Sequence, residues 1–106
     1  MLYGKLKNWP KVRTYGEMAT YVNPADPDVL NGLGRAYLET GDGSKALFTY
    51  ETMLLTNPRR PAMAHIGRAR AYLAMGKPKD AKLALAEAMK TEPENADALE
   101  LKKKLP

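Results

Sequence analysis

The chain repeats itself with a period of about 35 residues, and this restricts its fold more than any other feature. Tyr37 and Tyr72 are 35 residues apart, and the same offset relates Gly41 to Gly76, Ala46 to Ala81 and Pro58 to Pro93. Gly34 and Ala69, and Met53 and Ala88, pair the same or similar types at that offset. A unit this short cannot bury its own apolar face, so copies must stack on one another.

Each period reads as two helices. Asp26 followed by Pro27 is an N-cap with proline in the first turn, and Leu30, Leu33 and Tyr37 follow at helical spacing. Gly41, free to take positive φ, ends that helix. The next begins around Gly43 to Ser44, turns Ala46, Leu47, Tyr50 and Leu54 inward, and stops before Pro58. In the second copy Pro61 opens the first helix and Gly76 closes it; Pro78 then opens the next and Pro93 marks its end. Tandem helix pairs joined by tight turns predict an all-α fold, a right-handed α-solenoid of antiparallel hairpins.

The ends extend the array. Pro24 precedes Pro58 by 34 residues, Tyr3 precedes Tyr37 by the same distance, and Ala19 corresponds to Met53. Pro10 to Tyr21 therefore reads as the second helix of an earlier repeat, and Met1 falls inside that repeat's first helix. On this register the chain is either an excised fragment or opens on a shortened repeat. Downstream, Glu94 to Leu105 predicts a final amphipathic helix with Ala98, Leu101 and Leu105 on one stripe, Lys102, Lys103 and Lys104 at its negative dipole end, and Pro106 closing it. One domain results: residues 1–24 a partial repeat, 25–60 and 61–93 full repeats, and 94–106 a capping helix.

Leu30, Leu33, Gly34, Tyr37, Gly41, Ala46, Tyr50 and Pro58, and then Ala69, Tyr72, Gly76, Ala81, Leu85, Ala88 and Pro93, resemble the signature of the tetratricopeptide-repeat family. Small residues at 34, 46, 69 and 81 let helices approach, and the tyrosines fill the gaps between them. His65 and Arg68 depart from the pattern where apolar residues are expected, with Met63 or Ile66 available to compensate. The resemblance implies a concave groove lined by the first helix of each pair, which holds a partner's peptide or helix.

Composition excludes several other roles. The 106 residues are 44% hydrophobic and 27% charged, ordinary for a folded domain, and contain no cysteine for disulfides or thiolate metal sites. No apolar run reaches the roughly 18 residues of a membrane helix, and no apolar stretch follows Lys5 and Lys7 to make a secretory signal. Compartment is left open. The net charge of +5 is spread as about +3 over residues 1–23, about −1 to Pro61 and about +3 beyond, which favours acidic partners without naming one.

A catalytic set is missing from the sequence. His65 is the single histidine, and it reads as a part-buried helix residue rather than a base; Ser44 is the single serine, at a helix start where its hydroxyl is expected to serve backbone N–H groups. Gly41 and Gly43 flank an aspartate and lack the lysine-serine ending of a phosphate loop. Asp26 and Asp28, like Glu92 and Glu94, read as capping residues around a proline. No enzyme, cofactor or metal is expected. Lys77, Lys79, Lys82 and Lys90 alternate with Asp80 and Glu87 and carry no interleaved aromatic residue, so nucleic acid is not expected either. The triple lysine at 102–104 is assigned to a solvated cap.

With Leu30, Leu33 and Tyr37 turned to the core, the adjoining helix face presents Asn31, Arg35 and Leu38; adding 35 gives Ile66, Arg70 and Leu73. These six are the candidate partner-binding residues. Arg35 and Arg70 repeat in register and offer forked donors to carboxylates, so an acidic peptide is one expected partner. Alternatively Arg35 pairs with Glu39 one turn on, and both arginines only cover apolar surface. The lysine–asparagine arrangement of the family's chaperone clamps is absent. Three roles stand: an adaptor using the groove, a helical appendage of a larger protein, and self-association through an open N-terminal face carrying Trp9, Tyr15 and Met18.

Overall fold

The computed structural model describes residues 8–57 and 61–105. Met1, Tyr3, Lys5, Lys7, Pro58 and Pro106, used in the sequence argument, lie outside the described residues. Six helices make up the described residues: α1 (Trp9–Val22), α2 (Pro27–Glu39), α3 (Gly43–Thr56), α4 (Pro61–Ala74), α5 (Pro78–Thr91) and α6 (Ala96–Lys104). The fold is an all-helical solenoid of antiparallel hairpins, with α2–α3 and α4–α5 as the two full pairs.

Local chemistry sets the helix boundaries. Asp26 caps α2, its carboxylate accepting from the N–H groups of Asp28 and Val29. Gly41 and Gly76 take φ of 83° and 74°, a region closed to most side chains. At the first turn the Asp42 N–H reaches the Tyr37 carbonyl at 2.8 Å, and at the second the Lys77 N–H reaches the Tyr72 carbonyl at the same distance. The two tyrosines that define the period thus also close their helices in one way.

One boundary and one cap differ from the sequence expectation. Helix α3 begins at Gly43 as expected, but its cap is Asp42, whose carboxylate accepts from the Lys45 N–H at 3.1 Å, and not Ser44, which lies inside the helix. Helix α6 begins at Ala96 rather than Glu94, because Asn95 is the better cap: its side chain accepts from the N–H groups of Asp97 and Ala98. Glu92 ends α5 and accepts from Asn95 Nδ2 at 3.2 Å.

Consecutive helices pack throughout. In addition α2 touches α4 and α4 touches α6, whereas among the described residues α1 does not reach α3, nor α3 reach α5. First helices therefore crowd together and second helices splay apart, which curves the array and puts α2, α4 and α6 on its inner face.

The core falls into two clusters. One joins Leu30, Leu33, Tyr37, Ala46, Tyr50 and Met53 with Ala64 and Ala71 of the next repeat. The other joins Ala62, Ile66 and Ala69 with Ala81, Ala84, Leu85 and Ala88, and is closed by Ala98 and Leu101 of α6. In α3 Met53 is buried more fully than Leu47 or Leu54, which sit at the edge. Ile66 supplies the apolar contact that His65 and Arg68 do not, while Met63 stays partly exposed. His65 and Arg68 meet each other, Arg68 Nη1 lying 3.1 Å from His65 Nδ1. Burial and the neighbouring guanidinium lower the His65 pKa, so its neutral form is favoured. Arg68 Nε is sealed from solvent without a hydrogen bond, with the Glu51 carboxylate 3.9 Å away.

Candidate functional site

The inner face holds a cavity of about 440 Å³ between the three first helices. Helix α2 contributes Asp28, Asn31, Gly32 and Arg35; helix α4 contributes Met63, Ile66, Gly67 and Arg70. These sets are related residue by residue through the 35-residue offset. Asn95 and Asp97 at the start of α6 close one side, Trp9 at the start of α1 closes the other, and Tyr50 of α3 forms the floor.

Of the six residues expected on the groove, Asn31, Arg35, Ile66 and Arg70 line this cavity. Leu38 and Leu73 are half-buried and pack on the two core clusters instead. Each cluster draws on three helices, α2 to α4 around Leu38 and α4 to α6 around Leu73. The indole of Trp9 lies beneath the Arg35 guanidinium, 5.4 Å from ring centroid to charge.

Both arginines already have companions. Arg35 Nε donates to Glu39 Oε1 at 3.2 Å, the one-turn pairing the sequence allowed. With Arg35 half exposed, such a pair contributes only about 0.3–0.5 kcal/mol and can be exchanged for a ligand. Arg70 Nη2 stands 3.8 Å from Asp97 Oδ1, an ion pair too long for a hydrogen bond. Two arginines and two aspartates thus line one cavity.

Glycines bring Tyr50 into the floor. A Cβ on Gly34 would stand 2.7 Å from Tyr50 Cε2, and one on Gly67 would overlap the same ring from the other side. The ring is therefore clamped between α2 and α4 and is 2% exposed. Burial pushes its hydroxyl up to about 12, against the opposing pull of the Arg70 and Arg35 charges. Sequence reading placed Tyr50 only in the core. The signal for its special setting was Gly67, since glycine in mid-helix costs about 1 kcal/mol relative to alanine unless something must come close.

Elsewhere, large apolar side chains are exposed mainly on second helices: Met18, Tyr21 and Val22 on α1, Phe48 and Leu55 on α3, and Leu83 on α5. Among the lysines of α5, Lys90 pairs with Glu87 at 2.9 Å. Among the described residues no group of histidine, aspartate and glutamate could hold a metal ion, and no helix is long and apolar enough to cross a membrane.

Comparison with known proteins agrees with this geometry. Residues 66–102 match the family model described as tetratricopeptide repeat. Among solved structures, the tetratricopeptide-repeat domain of OM64 from Arabidopsis superposes with a TM-score of 0.86 at 22% identity, covering 97% of this chain and 84% of that one. No match was found among curated proteins. In fold, the chain is a tetratricopeptide-repeat solenoid, with the second repeat and its cap carrying the family's sequence pattern.

Proposed function

We propose that this chain is a non-catalytic adaptor whose concave groove holds an extended, acidic segment of a partner protein. The observation that carries this is the placement of Arg35 and Arg70 at equivalent positions of successive first helices, on one cavity of about 440 Å³. Guanidinium groups grip carboxylates through paired N–H donors, and here their existing companions are weakly held. Trp9, Met63 and Ile66 add apolar surface beside them, the mixture that peptide grooves use for affinity and register. Affinity capture from lysate, comparing the parent with an Arg35→Glu, Arg70→Glu variant shown to fold, tests this. A partner kept by the parent and lost by the variant supports the groove; a partner kept by both removes it.

A second reading is self-association through α1. Met18, Tyr21 and Val22 are 61%, 91% and 88% exposed, an unusual apolar load for one helix turn. Sedimentation equilibrium decides: a mass that rises with concentration and returns to the monomer in Tyr21→Glu supports it, and a constant monomer mass ends it.

A further inference from the structure

Cover is incomplete at the far end of the array. Helix α4 has 14 residues, and its last turns press on the start of α3: a Cβ on Gly43 would stand 3.2 Å from the Ala71 carbonyl oxygen and 3.3 Å from Ala74 Cβ. Helix α6 stands to α5 as α4 stands to α3, yet it has 9 residues and gives way to extended backbone at Leu105. Five fewer residues shorten the cover by about 7.5 Å. Accordingly, α6 touches far less of α5 than α4 touches of α3.

What stays open is a groove of about 370 Å³ lined by Lys82, Leu85, Ala86 and Met89 of α5 and by Lys102 and Leu105 at the end of α6. It shares no residue with the inner cavity. The 35-residue register shows that the chain departs from its own pattern here. Lys82 stands where earlier copies have Leu47 and Val12, and Leu105 stands where they have Arg70 and Arg35. The floor is apolar, with Leu85 buried and Met89 and Leu105 half-buried against the second core cluster. The rim is basic, and none of the six lining residues is acidic. Lys82 and Lys102 are exposed, and neither makes an ion pair with a described residue, whereas Lys90 and Lys104 pair with Glu87 and Glu100.

We propose that this end groove docks a short amphipathic helix of a partner protein, one whose apolar stripe is bordered by glutamate or aspartate. The site is separate from the inner groove and does not depend on the adaptor reading. A helix laid along α5 takes the place that the last turns of α4 take on α3. Its apolar side chains, three and four residues apart, meet Leu85, Met89 and Leu105. Carboxylates on its two flanks meet Lys82 on one side and Lys102 on the other, and the lysine stems lie along the apolar contact. A second copy of this chain fits poorly, because the net charge is +5 and the exposed apolar helix α1 brings Lys11 and Arg13 against one acid, Glu17.

The probe is a fluorescein-labelled helix of about 15 residues, with leucine at every third or fourth position and glutamate on both sides of that stripe. One control replaces the glutamates by lysine, and another shuffles the residues so that the stripe is lost. Fluorescence polarisation should show the parent binding the glutamate helix at least about tenfold more tightly than either control. Lys82→Glu, Lys102→Glu changes two exposed side chains, so it should melt as the parent does and reverse the preference toward the lysine helix. Arg35→Glu, Arg70→Glu should bind the glutamate helix as the parent does. The proposal is overturned if the parent does not prefer the glutamate helix to both controls, or if the lysine variant keeps the parent's preference. Loss of the glutamate helix in the arginine variant alone would seat it in the inner groove, overturning this site while leaving the adaptor reading in place.

Discussion

Gly67 of α4 lies so close to the ring of Tyr50 in α3 that a Cβ on the glycine would overlap ring atoms Cγ, Cδ1 and Cε1. Two effects oppose each other when Gly67 becomes alanine. Helix propensity favours the change by about 1 kcal/mol. Overlap with a ring held on its other face by Gly34 costs about 1–3 kcal/mol, and more where the ring cannot turn. Packing should win, so Gly67→Ala is predicted to lower the urea midpoint. A raised midpoint would mean that the repeats approach less closely than described.

Alkaline pH should loosen the array through its two tyrosines. Tyr37 and Tyr50 are both raised from 10.0 to about 12, chiefly by burial and, at Tyr37, also by its 2.6 Å hydrogen bond to Glu17. A raised pKa means the unfolded chain gives up the proton first. The contribution is complete below pH 10 and is lost as pH rises through 12. Tyr50→Phe cannot ionise at that position, so its stability should fall less than the parent's between those limits. Parallel denaturant titrations at pH 9 and pH 11.5 measure the difference, and equal losses would contradict the burial assigned to Tyr50.

Capping predicts a graded pair. Asp26→Ala removes the carboxylate that accepts from two N–H groups of α2, and Asn95→Ala removes the equivalent acceptor at α6. Each should cost about 1 kcal/mol by loss of the cap. Ser44→Ala should change little, since Asp42 is the cap of α3. Thermal melts of the three variants rank them, and a Ser44 loss as large as that of Asp26 would overturn the assignment.

Periodicity made the hairpins legible before any coordinates, because glycines at 41 and 76 and prolines at 27, 61 and 78 act on the backbone locally. Asn31, Arg35, Ile66 and Arg70 could be placed on one face because helical spacing and the 35-residue offset are both local rules. What escaped depends on contacts between elements. Trp9 meets Arg35 only through the angle at which α1 crosses α2, and no periodic partner marks it. Tyr50 reaches the groove from a second helix because glycines 34 and 67 leave a slot. Asp97 enters through the turn that carries α6 across the end of α4. Leu38 and Leu73 share the arginines' helices, yet they pack on the two core clusters.

The most direct test of the central claim is an amide chemical-shift titration of the ¹⁵N-labelled chain with a decapeptide of alternating glutamate and alanine. The account predicts perturbations grouped at Asn31, Gly32, Arg35, Gly67, Arg70, Asn95 and Asp97, the inner face of α2, α4 and α6. Perturbations confined to Met18, Tyr21, Phe48, Leu55 and Leu83 would put binding on the outer helices and contradict it.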